Sequence, residues 1–276
     1  MFGRWLADRD GVAEAARVID ERASDRRIIH VVHRPGSVQT EIRVGHRGLS
    51  RQIPDFHAVS VMSAILGGLF NSRLNMKLRE EKGYTYGASA GFDLRRGAGP
   101  FAARAAVNTE VTVPAVVDMI GELTAIREAP VKASELAAAR DFLVGVFPLR
   151  FETAGAVVGA LSGLAVHDLE IEELISYRER IEAVDTEAVA AAAQAHLQVD
   201  EAAIVLVGDA DAFGDALEAA GFAPIIVERE PQPDAPLASE QDEPPGPVDK
   251  DEAEGPTAGA EEPELPGVPT EPADAD

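Results

Sequence analysis

The spacing of apolar positions along the chain switches repeatedly between a period of two and a period of three to four residues. Ile28-Ile29-His30-Val31-Val32-His33 is a short β-rich run, closed by the turn residues Arg34-Pro35-Gly36-Ser37. Val38 to Val44 then alternates apolar with polar, as a half-buried strand does. Pro54-Asp55 opens an apolar helix predicted over Phe56–Leu69, which ends in the paired glycines Gly67-Gly68. Ser72 is placed to cap a second helix running to about Lys82, with Gly83 as its stop. Tyr84–Leu94 and Pro100–Asn108 read as strands joined by the Arg95-Arg96-Gly97-Ala98-Gly99 turn. Helical periodicity returns over Thr112–Ala129, Ser134–Phe151 (with a break near Pro148), Thr153–Val166, Ile171–Ala183 and Thr186–Leu197. A strand over Ala202–Val207, a helix over Asp209–Ala220 and an edge strand over Pro224–Val227 follow. Hairpin-paired strands with helices in blocks predict an α+β fold, a mainly antiparallel sheet covered on one face by helices.

Composition divides the chain further. Residues 230–276 hold 15 acidic residues against one lysine, a net −14 of the chain's −23, together with 11 of its 18 prolines. Such a segment cannot bury enough apolar surface to offset its ordering entropy, and is expected to remain a disordered acidic tail. The remaining −9 is a moderate charge, and neither part offers the basic stripe that nucleic acid requires. Residues 1–24 are helix-prone without an obvious packing partner and read as a linker or leader, leaving 25–229 as the folded domain. No run approaches the roughly 20 apolar residues of a membrane span. The charged sequence after Met1 shows no signal peptide. A cytoplasmic location is therefore expected, with the periplasm compatible if the chain is a fragment. There is no cysteine, hence no thiolate ligand or nucleophile.

The six histidines stand at positions 30, 33, 46, 57, 167 and 196. Helical zinc motifs need two histidines four apart, on one side of a helix, and no pair has that spacing. His30 and His33, three apart on a strand, should point to opposite faces. All six are expected to be surface or turn residues, and the chain is expected to bind no metal or cofactor. No G-x-S-x-G elbow is present. Gly97-Ala98-Gly99-Pro100 lacks the lysine and helix of a phosphate loop, which favours a hairpin turn.

One segment, Leu66 to Gly87, concentrates polar groups at a junction. A helix ends at Gly67-Gly68 and a second starts at Ser72 over Leu74, Leu78 and Met76. Arg79 sits on its last turn, and Tyr86 enters the next strand seven residues later. Both polar tips can then face one cleft. A structural reading stands beside this one. Arg79 is favoured at a helix C-terminus by the dipole, and Tyr86 by β-propensity.

The string Gly67 to Gly87, with Ser72-Arg73-Leu74, Leu78-Arg79-Glu80 and Gly83-x-x-Tyr86, resembles the signature of the non-catalytic domain of the insulinase/pitrilysin metallopeptidases. Phe2-Gly3-Arg4-Trp5 resembles the linker between the two halves of that family. Arg34 to Thr40 resembles its strand entry, and Val205-Leu206-Val207-Gly208-Asp209 its near-final strand. The resemblance implies a substrate-binding half that faces a homologous half and encloses a chamber. Zinc and its H-x-x-E-H motif, whose Glu activates water, would lie in that partner half. Arg79 and Tyr86 would hydrogen-bond the peptide backbone and support the tetrahedral intermediate, with Phe70 and Asn71 as further substrate-lining positions. Bacterial relatives occur as separate zinc-bearing and Arg/Tyr-bearing subunits, so the expected partners are a zinc-bearing homologous subunit and a peptide substrate. By itself the chain is expected to be inactive. The alternative functions are a non-enzymatic assembly module, as family members in respiratory complexes are, or a truncated remnant.

Overall fold

The structure, a computed structural model, describes residues 27–222 and 224–229; the expected leader and acidic tail lie outside the described residues. Six strands carry the fold: β1 (Ile29–His33), β2 (Gln39–Arg47), β3 (Ala88–Phe92), β4 (Pro100–Asn108), β5 (Ala203–Gly208) and β6 (Ile225–Arg229). They form one sheet in the order β3-β4-β2-β5-β1-β6. The pairings β3–β4, β4–β2 and β2–β5 are antiparallel, whereas β1 lies parallel to both β5 and β6. The architecture is the expected α+β one, with the antiparallel part at the end of the sheet that carries β3.

Alternation along each strand divides the sheet into two faces. Ile42 and Val44 of β2, Phe101, Ala103, Ala105 and Val107 of β4, and Ile204 and Leu206 of β5 are buried. Their neighbours Arg43, Arg104 and Ala106 are exposed. Helices cover only the buried face: α1 (Phe56–Ser63, continuing as π-helix Ala64–Gly68), α2 (Arg73–Asn75, continuing as π-helix Met76–Glu81), α3 (Thr112–Glu128), α4 (Ala133–Val146), α5 (Ala154–His167), α6 (Glu172–Ile175), α7 (Tyr177–Glu182), α8 (Thr186–His196) and α9 (Ala210–Ala219). Val59, Val61, Met62, Met119, Leu123 and Val189 fill the space between them and the sheet.

Several predicted boundaries move for physical reasons. β3 begins at Ala88 rather than Tyr84, so Tyr86 stands in the loop before it. The predicted Ile171–Ala183 helix breaks at Ser176, whose hydroxyl donates to the Glu172 carbonyl at 2.6 Å and ends α6. Ser72 has the extended backbone of an N-cap but makes no side-chain cap bond. α1 and α2 both widen into π-turns, which a 3.6-residue period does not foresee.

Helix α5 has no buried residue along its fourteen positions. Its Val158 is 62% exposed, and Leu161 and Val166 are close to half exposed. Thr153 caps it through the Ala156 amide at 3.1 Å, so it is a well-formed helix whose outer face has no cover among the described residues. Among the described residues no single helix is long and apolar enough to cross a membrane.

Candidate functional site

The junction from Leu66 to Ala88 is built by close approach. α1 reaches β3 at Gly67, where a Cβ would lie 2.1 Å from the Ala90 nitrogen, so only glycine lets the helix end on the strand. The π-turn then closes with the Leu69 amide on the Ala64 carbonyl at 3.2 Å, and the chain emerges at Phe70. α2 buries Leu74, Asn75 and Leu78; Met76, expected beneath the helix, is 48% exposed instead. The helix ends at Gly83, with φ +64, its amide donating to Arg79 and that of Tyr84 to Leu78.

Buried Asn75, which the sequence reading did not single out, ties the junction together. Its Nδ2 donates to the Leu69 carbonyl at 3.1 Å and to the Ser72 hydroxyl at 3.2 Å. Its Oδ1 accepts from the Ala88 amide at 2.9 Å. One side chain thus fixes the turn carrying Phe70, the start of α2 and the start of β3. Asparagine among the apolar positions of a helix was the available signal.

Arg79 packs on Phe70, with the guanidinium carbon 3.6 Å from the ring centroid. Nε and Nη2 both donate to one Glu80 carboxylate oxygen, at 2.9 and 2.6 Å. The arginine side chain is 17% exposed while Phe70 is 75% exposed, so the ring forms the outer surface and covers the cation. Tyr86 is 94% exposed, in a turn pinned by the Thr85 hydroxyl, which bonds the Gly87 amide and carbonyl. Among the described residues no hydrogen bond or ring contact joins Tyr86 to Arg79. Asn71 turns the other way, into a groove of about 840 Å³ between α2 and the α3–α4 connection. Arg73 clasps Glu135 there at 2.7 and 2.9 Å. Burial opposes the Glu135 charge, but the Arg73 guanidinium and the Lys132 amide outweigh it and hold the carboxyl below its usual range. Neighbouring Glu122 is pushed up by burial.

Two histidines depart from the expected surface positions. His57 is buried beside Phe56 and Tyr177, and burial pulls its pKa down. His33 is also buried, while His30 is exposed on the opposite face. With Asp209 and Asp211 it forms a group whose ligand atoms lie within 4.8 Å of one another. These atoms are engaged otherwise. His33 Nδ1 accepts from the Ala210 amide at 3.1 Å, Asp209 accepts from the Gly36 and Asp211 amides, and Asp211 is paired with Arg229. The group fastens β1, α9 and β6 together through these bonds.

The sequence profile described as peptidase M16 inactive domain matches residues 2–143, about half of the chain. A peptidase M16 inactive domain from Pseudomonas fluorescens is 29% identical, with a TM-score of 0.62 over 67% of this chain and 44% of its own. A protease from Helicobacter pylori, 18% identical, superposes with a TM-score of 0.62 over 68% of this chain and 45% of its own. An inactive peptidase domain from Bordetella parapertussis, 18% identical with a TM-score of 0.53, is covered over 94% of its length by 63% of this chain. This chain therefore spans less than half the length of the first two structures. No curated protein matches it. The profile match and the shared fold agree with the insulinase-type resemblance of the Gly67–Gly87 string, and the chain belongs to the peptidase M16 family, as an inactive domain.

Proposed function

We propose that this chain is the peptide-holding half of a two-part metallopeptidase, acting only beside a zinc-bearing homologous half. The observation that carries the reading is the junction of α1, α2 and β3. There Gly67 and Asn75 fix the segments that carry Phe70, Arg79 and the start of β3, with Arg79 against Phe70 and a solvated Tyr86 two residues before β3 whose phenol makes no hydrogen bond among the described residues. Zinc in the partner would supply the activation of water. This chain's residues do the rest: the Tyr86 hydroxyl donates to the scissile carbonyl as charge develops on its oxygen, and Arg79, through Nη1, donates to the peptide backbone. Phe70 shields the guanidinium from water, which strengthens the bonds it makes to substrate.

The uncovered apolar face of α5 supports a partner. A helix with Val158, Leu161 and Val166 outward is unfavourable in water and matches a protein interface. The two longer relatives leave room for a second body of similar size. A non-enzymatic pairing module is favoured by one observation, the commitment of two Arg79 donors to Glu80.

Mixing the chain with an H-x-x-E-H-bearing half from the same genome tests the reading. A stable zinc-containing pair that cleaves peptides, where neither half does so alone, is the expected result. A stable pair that cleaves nothing would establish the pairing module instead.

A further inference from the structure

The face of the sheet that no helix covers among the described residues carries a cationic pair. The strand registers align one row across it: Ser89, Arg104, Arg43, Val205, His30 and Ile226. Arg43 and Arg104 are therefore direct cross-strand partners on one face, and both are exposed. Like charges directly opposite each other destabilise a sheet. Only one carboxylate answers them. Arg43 Nη2 donates to Glu41 at 3.1 Å, while Arg104 Nε donates to the neutral Ser89 hydroxyl at 2.8 Å. Arg104 has no carboxylate partner among the described residues.

The surroundings are a second observation. Gly91, Ala102, Ala106 and Ala203 share this face, all are poor strand formers, and none of the four is buried among the described residues. A Cβ at Gly91 would meet no atom within 4 Å. Beside Arg43 the floor deepens into a pocket of about 510 Å³, whose walls include Ala102, Ala203 and Val205. Small residues where the sheet could carry large ones leave space for a chain to lie close to the backbone. Arg43 lines this pocket and Arg104 is its cross-strand partner on β4, so the row offers two guanidiniums, the group that pairs with a planar, bidentate anion.

We infer that Arg43 and Arg104 form a carboxylate subsite on the open face of the sheet, which selects peptides bearing an acidic side chain or a free C-terminus at that point. The inference rests on the peptide-holding reading and adds a charge preference to it. Charge-assisted bonds of this kind contribute about 1.5–3 kcal/mol, a difference of about ten- to a hundredfold in affinity.

Fluorescence anisotropy of the full chain with short labelled peptides tests it. One peptide is neutral with an amidated C-terminus, one differs by a central Glu for Gln, and one differs by a free C-terminus. Either anionic peptide should bind at least about tenfold more tightly than the neutral one, with the preference shrinking as salt rises. The arm that gains identifies the source of the carboxylate. The Arg43→Gln/Arg104→Gln double variant should lose the preference, bind the neutral peptide as before, and melt no lower than wild type. Equal binding of all three peptides, or a preference that survives in the double variant, overturns the subsite and leaves peptide holding intact. Failure to bind any peptide overturns the subsite, and cleavage by the pair with the zinc-bearing half then decides the peptide-holding reading separately.

Discussion

Replacing Gly67 by alanine should damage the candidate site from beneath without touching its polar groups. The added Cβ would lie 2.1 Å from the Ala90 nitrogen, 2.7 Å from its Cβ and 2.8 Å from its Cα. Ordinary carbon contacts are about 3.5–4.0 Å, so α1 and β3 must part by more than about 1 Å. Two of the three obstructing atoms are backbone, and no rotamer change relieves them. The cost lies at or above the upper end of overpacking, about 3 kcal/mol. At about 2–4 °C per kcal/mol for a body of this size, the melting temperature should fall by about 6–12 °C. Because Leu66, Leu69 and Phe70 leave this helix end, the Phe70–Arg79 stack should loosen too. Gly159→Ala is the matched control: its Cβ meets open space within a helix, and it should stabilise by about 0.5–1 kcal/mol. Urea melts of the three proteins decide the matter. A Gly67→Ala protein within about 0.5 kcal/mol of wild type would refute the close approach.

Other outcomes follow from the same structure. Asn75→Ala leaves the Ala88 amide without its partner and removes one of two donors to the Leu69 carbonyl, which keeps the Ser72 amide, and should cost about 1–3 kcal/mol. Hydrogen exchange should quicken at the Ala88 amide. The depressed pKa of Glu135 means that its ion pair stabilises fully above the unfolded carboxyl value of about 4.3 and fades as pH falls through the lower folded value. Glu135→Gln should therefore cost about 1–3 kcal/mol at neutral pH and little in acid, as read by urea melts across pH. Glu122, raised by burial, has the opposite sign: its charged form is the costly one, so Glu122→Gln should be no less stable at neutral pH, and any advantage should vanish as pH falls through the folded value. Val158→Glu with Leu161→Glu should change stability by less than about 0.5 kcal/mol yet abolish pairing with a zinc-bearing half in gel filtration.

The strands were the most legible part of the fold. Their two-residue alternation is written in β2 and β4, where one face is buried and the other wet. The parallel placement of β1 between β5 and β6 was not, since pairing across such distances leaves no local trace. The π-turns were hidden for a related reason: they depend on how α1 and α2 meet β3, not on residue preference. Arg79 stands on the last turn of α2 as its spacing predicted, whereas Tyr86, expected at a strand start, stands in the loop before β3. The stacking of Arg79 on Phe70 was not, nor was the outward turn of Asn71 into the Arg73 groove. His33 and His57 show that the polarity of a residue does not settle its burial. Helix α5 shows the converse. Its apolar sequence suits a buried helix, and only the structure places it at the surface.

The central claim is that Tyr86 and Arg79 act on a peptide whose cleavage is powered elsewhere. The direct measurement is kcat for the reconstituted pair carrying Tyr86→Phe, with zinc content and pairing confirmed equal to wild type. Because Tyr86 is fully exposed and makes no side-chain hydrogen bond among the described residues, the substitution cannot act through stability. Loss of an oxyanion donor should lower kcat about a hundredfold with little change in KM. Equal kcat for the two proteins would contradict the account.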